Sequence, residues 1–373
     1  MRQARDRPGP SPAGRIPSLD GVRAVAIALL LVSHLIGTGA FPVTSTPLLD
    51  LGALGVRVFF VLSGLLITSL LVAEERRTGR VDLPAFYARR TLRIFPAFYA
   101  YLVALAVLTV TGLIEVPGTD LLRAASYTIN YSAAHDWRVG HAWSLAVEEQ
   151  FYLTWPLLIA WLGSRRAAIG ALVAIASAPM ARVVLMALPD GTSVLQLHVG
   201  HSFETVVDAI ATGALLALVR ERLWALPAFR RMLGSPAVWM LVPVGLAAGS
   251  LPYWDPWVTP RTAWFLTGAH AAVGLTVLNV SISLLIERVV RHPDDLVGRA
   301  LNLRAVAWLG TLSYSVYIWQ QLFLDRRSDA WATRFPQNLF LVFAAALLSY
   351  HLVEQPMLRL RDRLLRPHAP KTP

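Results

Sequence analysis

Ten apolar runs, each about the length of a membrane-spanning helix, alternate with polar segments along this 373-residue chain. They lie near residues 21–37, 52–72, 96–114, 144–162, 167–188, 204–220, 236–251, 262–286, 305–324 and 337–355. The pattern predicts an all-α fold, a polytopic transmembrane helix bundle of about ten spans. Charge between the runs is uneven. The N-terminal segment, Arg76–Arg93, Arg165/Arg166, Arg220–Arg231, Arg288–Arg304 and the tail carry about 26 of the 34 Lys and Arg residues. The positive-inside rule puts these segments in the cytoplasm, and an even number of spans puts both termini there.

Composition agrees with a membrane chain. Hydrophobic residues make up 55% and charged residues 15%, against roughly 25% charge in a soluble domain; mean hydropathy is +0.52. The net charge of +11 sits in short arginine clusters between apolar runs, so it points to membrane lipids and not to nucleic acid. There is no cysteine, hence no disulfide or thiolate metal site, and no metal-ligand spacing, P-loop or glycine-rich nucleotide fingerprint occurs. Residues 1–16 are rich in Pro, Gly and Arg and are expected to form a disordered basic cytoplasmic lead. A cleaved signal peptide and an internal transporter-type repeat are not expected. Residues 17–358 read as one membrane domain and 359–373 as a short basic cytoplasmic tail.

Candidate chemistry begins with Arg23 and His34, at the two ends of the first run. Eleven residues of helix place them about 16.5 Å apart on nearly the same face. An arginine at the cytoplasmic boundary suits phosphates, and a histidine three turns deeper falls near mid-membrane. That geometry fits a long ligand with an anionic head and a reactive tail, such as acyl-coenzyme A. With an ordinary pKa near about 6.5, a neutral imidazole can take a proton from a hydroxyl as general base. The structural alternative is a snorkelling arginine and a histidine hydrogen-bonded within the bundle.

Arg89, Arg90 and Arg93 follow the second run in FYARRTLRIFP. They read as an interfacial amphipathic helix or as a second phosphate patch on the same side as Arg23. In HAWSLAVEEQFYLTWPLL, His141, Ser144, Glu148 and Tyr152 recur at three- and four-residue steps and share one helix face. Glu148 is expected to pair with an arginine of another span, Arg182 being the first candidate. Asp208, inside the sixth run, needs a partner too. Ser63-Gly64 suits close helix packing, Gln320 and Gln321 suit helix bridging, and Pro356 is expected to stop the last helix at Glu354.

Seven blocks in order carry a resemblance across nearly the whole chain: SLDGVRAVAIALLLVSH, GVRVFFVLSGLLIT, FYARRTLRIFP, HAWSLAVEEQFYLTWPLL, FETVVDAIATGALLA, LGTLSYSVYIWQ and YHLVEQP. The chain resembles the integral-membrane acyltransferase family three, whose members O-acylate surface polysaccharides, O-antigen, peptidoglycan, Nod factors and macrolides. The family's arginine–histidine motif falls on Arg23 and His34, its basic loop on Arg89, Arg90 and Arg93, and its tryptophan-serine-glutamate block on Trp143, Ser144 and Glu148. The resemblance implies a bacterial inner-membrane enzyme that moves an acyl group, acetyl by family frequency, from acyl-CoA to a sugar hydroxyl of a glycan or glycolipid acceptor. Arg23, Arg89, Arg90 and Arg93 then hold CoA, His34 and Glu148 serve catalysis, and Trp143, Ser144, Tyr152 and Arg182 face the acceptor. Direct transfer and an acyl-histidine intermediate are both compatible with this set. Two positions depart from the family: Arg57 stands where an acidic residue is frequent, and Gln320/Gln321 where a histidine is frequent. A flippase of lipid-linked glycan, or an acyltransferase of macrolide-type molecules, is the alternative.

Overall fold

The computed structural model describes residues 18–43, 50–132, 134–187, 200–249 and 268–365. The predicted lead at 1–16 and the last eight residues of the tail lie outside them. Every regular element among the described residues is helical. The longer helices in chain order are α1 (Leu19–Leu35), α2 (Leu51–Thr78), α3 (Leu83–Val110), α4 (Gly118–Ala125), α5 (Trp137–Gly140) and α6 (Ala142–Ala187). There follow α7 (Phe203–Ala225), α8 (Pro227–Gly234), α9 (Leu241–Gly249), α10 (Leu275–Arg291), α11 (Leu296–Leu301), α12 (Arg304–Phe323), α13 (Gln337–Ser349) and α14 (Gln355–Leu364).

Local chemistry explains several boundaries. Asp50 caps α2 by accepting from the Ala53 N–H at 2.9 Å, and Asp82 caps α3 through Ala85 at 3.0 Å. Gly79, with φ 76°, ends α2 in the left-handed region. Within α6, Gly163 has φ 76° and ψ 159°, outside helical geometry. The chain doubles back there: a Cβ on Gly170 would come 2.6 Å from Leu158 Cδ2 of the preceding limb. The break separates the fourth and fifth predicted spans.

Five helical segments among the described residues are long and apolar enough to cross a membrane, and a sixth follows if the pair Pro227–Gly234 and Pro236–Gly249, bent by 71°, is one span. The helices α1, α2, α3, α6, α7 and α12 bury a common core that includes Ile27, Phe60, Phe98, Ile210 and Val316. Many large apolar side chains on α3, α6 and α13 instead face outward, among them Val103, Trp161, Ile169 and Phe340. A lipid environment requires such outer faces.

Arg23 and His34 stand near the two ends of the 17-residue α1, as expected. Two expectations need correcting. The basic segment is no separate interfacial helix, because Arg89, Arg90 and Arg93 belong to the opening turns of α3, continuous with its apolar stretch. Pro356 does not end the last helix. A π-turn at Tyr350–Glu354 lets the Gln355 N–H bond to the Tyr350 carbonyl, and helix α14 continues through the proline to Leu364. That helix also crosses the boundary expected at 358/359.

The α2–α7 crossing depends on two glycines. A Cβ on Gly64 would collide with the Ile210 carbonyl oxygen, and one on Gly213 with the Val61 carbonyl oxygen. Backbone atoms cannot move aside as a flexible side chain can. Gly64→Ala is therefore expected to destabilise the protein by about 1–3 kcal/mol, the usual overpacking range. Thermal unfolding of the purified protein checks it, and an unchanged midpoint would contradict this packing argument.

Candidate active site

One cavity of about 950 Å³ is enclosed by α1, α2, α3, α6, α12 and the C-terminal helical segment. That is the upper end of the usual range for small-molecule sites, roughly 300–1,000 Å³. Six arginines line it: Arg23, Arg77, Arg89, Arg90, Arg93 and Arg361. Their placement follows from helix geometry. Arg89, Arg90 and Arg93 share the first turns of α3, Arg77 closes α2, Arg23 stands one turn into α1, and α14 returns Arg361 to the same end. Arg23 pairs with Asp20 at 2.9 Å and Arg89 with Glu74 at 3.3 Å. The Arg90 guanidinium lies over the Tyr152 ring, 4.7 Å from its centroid. Among the described residues, no carboxylate comes within ion-pairing distance of Arg90 or Arg93.

Further along the cavity the lining changes from guanidinium to hydroxyl and carboxyl groups. Glu148 accepts a hydrogen bond from Ser63 at 2.7 Å and from the Tyr152 hydroxyl at 3.4 Å. Glu354 accepts one from Ser315. Ser144 and Tyr317 share a 2.5 Å hydrogen bond, and Tyr317 also donates to the His141 carbonyl at 2.9 Å. Val56, Phe59 and Leu145 supply apolar wall.

His34 is not among the lining residues. Its Nδ1 meets Gln320 Oε1 at 2.7 Å, and its ring stands edge-on to Trp137 at 5.1 Å. Gln320 is one helical turn past Tyr317 on α12, and His141 sits just before α6, three residues ahead of Ser144. Gln321 Oε1 accepts both the His141 backbone N–H at 2.9 Å and its Nδ1 at 2.8 Å. An oxygen already taken by a backbone donor accepts from the ring as well, so the His141 proton is on Nδ1. The histidine layer thus lies just beyond the Ser144–Tyr317 pair that ends the cavity.

The structure therefore brings together Arg23, Arg89, Arg90, Arg93, Ser144, Glu148 and Tyr152 around one cavity, with His34 one turn beyond. Trp143 is outside it, packed against His201 with ring centroids 4.4 Å apart and planes tilted by 45°. Arg182 is elsewhere, and the expected Glu148–Arg182 pair does not form. Arg182, 1% exposed, donates to Asp208 Oδ2 at 2.9 Å and to the carbonyls of Ala271 and Thr205, both at 2.7 Å. The two charges that each required a partner, Arg182 and Asp208, satisfy one another, while Glu148 on the first limb of α6 faces Ser63 of α2.

Sequence reasoning missed Arg77 and Arg361 as cavity residues, Ser63 as the partner of Glu148, and Tyr317 as the partner of Ser144. Arg361 was hidden by the assumption that Pro356 ends the helix. Among the described residues, no group of three or more His, Asp or Glu is arranged to hold a metal ion.

The cavity thus runs from an arginine-rich end, suited to an anion, to a hydroxyl-bearing end with a histidine layer just beyond it. The sequence profile described as acyltransferase domain matches residues 16–354, and the chain belongs to that family of multi-pass membrane acyltransferases. The O-acetyltransferase OatA of Staphylococcus aureus (strain NCTC 8325 / PS 47) is 28% identical, over 82% of this chain and 50% of the relative. The putative peptidoglycan O-acetyltransferase YrhL of Bacillus subtilis (strain 168) is 28% identical, over 92% of this chain and 55% of the relative. The chain spans about half the length of the curated relatives it matches. No solved structure matches it.

Proposed function

We propose that this protein is a ten-span O-acyltransferase of the bacterial inner membrane, with both termini in the cytoplasm, that moves an acetyl group from cytoplasmic acetyl-CoA to a sugar hydroxyl of a cell-surface glycan. The observation that carries this reading is the cavity: six arginines at one end, three of them (Arg77, Arg90 and Arg93) without a carboxylate partner among the described residues, and the Ser144–Tyr317 pair at the other, with His34 just beyond it. Arg90 and Arg93, with Arg23 and Arg361, take the phosphates of CoA, for which the guanidinium fork is suited. The pantetheine arm runs past Phe59 and Glu148 toward Tyr317.

Chemistry follows at His34. With Gln320 Oε1 accepting from Nδ1–H, Nε2 carries the lone pair. That nitrogen takes the proton of the acceptor hydroxyl as its oxygen attacks the thioester carbonyl. The carbon–sulfur bond breaks, and the departing thiolate recovers the proton. The hydrogen bond between Ser144 and Tyr317 has to part for the thioester carbonyl to meet the acceptor hydroxyl beside this nitrogen, since both side chains end the cavity short of it. The O-acetyltransferase names of the relatives and the peptidoglycan named for one of them support acetyl as the acyl group and a glycan as the acceptor.

The test is acetyl transfer from labelled acetyl-CoA to oligosaccharide by the purified chain in proteoliposomes. Movement of lipid-linked glycan across the vesicle without any acyl transfer would replace this reading with that of a flippase. On the donor side, Arg93→Ala is expected to weaken CoA binding about tenfold, the loss of one hydrogen bond to a charged group. Arg93→Lys should recover part of it, a point charge lacking the fork. Titration with CoA and with its 3′-dephospho form measures this, and equal affinity in wild type and Arg93→Ala would remove Arg93 from the donor site.

A further inference from the structure

A second polar cluster lies on the side of α2 turned away from the cavity. Arg57 Nη1 donates to Asn279 Oδ1 of α10 at 3.2 Å. A guanidinium has donors only, so this bond fixes the amide: Oδ1 faces Arg57, and Nδ2 is left as a donor. Asn279 is 0% exposed, and among the described residues its Nδ2 has no acceptor. Buried amide donors are nearly always satisfied, so this one is waiting for an oxygen.

The charges are unbalanced in the same direction. The charged groups acting on Arg57 from neighbouring elements are Asp208, Arg182 and Asp50. Asp208 is already held by Arg182 at 2.9 Å and by Thr276 at 3.3 Å. Asp50 is engaged as the cap of α2. Among the described residues no carboxylate lies within ion-pairing distance of Arg57. Two guanidiniums thus share one carboxylate inside the helix bundle, where an unbalanced charge is expensive. The position also has a direction. Arg57 is near the start of α2, the end that meets α1 near His34: a Cβ on Gly52 would come 2.9 Å from Ser33 Oγ. Arg23 and Arg77 stand at the opposite ends of those two helices.

We infer that Arg57 and Asn279 Nδ2 form a binding site for an anionic group of the acceptor, either a carboxylate on the sugar or a phosphate on its carrier. This rests on the acyl-transfer reading and deepens it, assigning the acceptor class from Arg57 and the unfilled amide beside it. A forked cation beside a free amide N–H offers at least two donors to one pair of anionic oxygens. An acceptor held there lies on the histidine side of the molecule, away from the arginines that face CoA.

The experiment uses the full chain in proteoliposomes with acetyl-CoA and three oligosaccharides of one backbone: neutral, uronate-bearing and phosphorylated. The readout is the ratio of kcat/KM for each acidic acceptor to that for the neutral one. Wild type should favour one acidic acceptor by about tenfold, the value of a charged hydrogen bond; which acid is favoured names the source. Arg57→Gln should bring the ratio to near one, Arg57→Glu should push it below one, and Arg57→Lys should keep part of it. Asn279→Asp places a carboxylate against Arg57 from within and should lower the ratio equally, in a protein that retains the arginine. A wild-type ratio near one, or a ratio unmoved in Arg57→Gln and Asn279→Asp, overturns the site. Absence of transfer to all three acceptors would refute the acyltransferase reading instead. Equilibrium binding of the uronate and neutral oligosaccharides to wild type and Asn279→Asp then decides the site by the same ratio.

Discussion

His34→Ala is expected to lower the rate of acetyl transfer by about 10²–10⁴, the usual contribution of a general base, while leaving CoA affinity at the wild-type value. Both halves follow from position. The imidazole stands beyond the cavity proposed for the donor, so its loss should leave the phosphate end untouched. Its Nδ1 is engaged by Gln320, which orients the ring and leaves Nε2 for the proton. Initial rates and CoA titrations on the same preparation separate the two effects. A variant retaining more than about a tenth of the wild-type rate would mean that His34 is not the base.

The largest effect on stability is expected at Arg182. Its guanidinium is 1% exposed and spends three hydrogen bonds on Asp208, Ala271 and Thr205. Arg182→Met leaves the Asp208 carboxylate buried without its cation, a change that costs about 3–5 kcal/mol at buried pairs. The double variant Arg182→Met/Asp208→Leu removes both charges and should recover much of that loss, since an apolar pair of similar volume needs no desolvation. Thermal unfolding in detergent compares the three proteins. A double variant no more stable than the single one would show that the pair does not account for the loss.

These two residues also mark what the amino-acid sequence makes legible. Hydropathy foretold the helices, because an apolar run long enough to span a bilayer has few other uses. It placed the start of the third helix at 96, thirteen residues after Leu83, since three arginines depress any average taken across them. The cost of burying Arg182 and Asp208 was equally plain, but the pairing was not. Cost is a property of one residue, and pairing belongs to the packing of helices. The reversal at Gly163 sends the two limbs of α6 to different neighbours, so Glu148 meets α2 while Arg182 meets α7. The bonds of Ser63 to Glu148 and of Tyr317 to Ser144 were not legible for a related reason. A hydroxyl within a helix can satisfy itself locally, so it makes no demand that a sequence reader would notice. The arginine cluster was readable because cations at membrane boundaries announce themselves, and α14 adds Arg361 to it only through a π-turn that no residue pattern foretells.

That last addition bears on how the protein is made. Arg23 belongs to the first described helix and Arg361 to the last, yet both line the same end of the cavity. Ribosomal synthesis delivers Arg23 more than 300 residues before Arg361, and membrane helices made early wait for those made late. A nascent chain that has inserted α1 to α13 but not α14 still lacks one wall of the arginine-lined cavity. Under the proposed function such a chain cannot yet clasp the phosphates of a donor, and acyl transfer waits for α14.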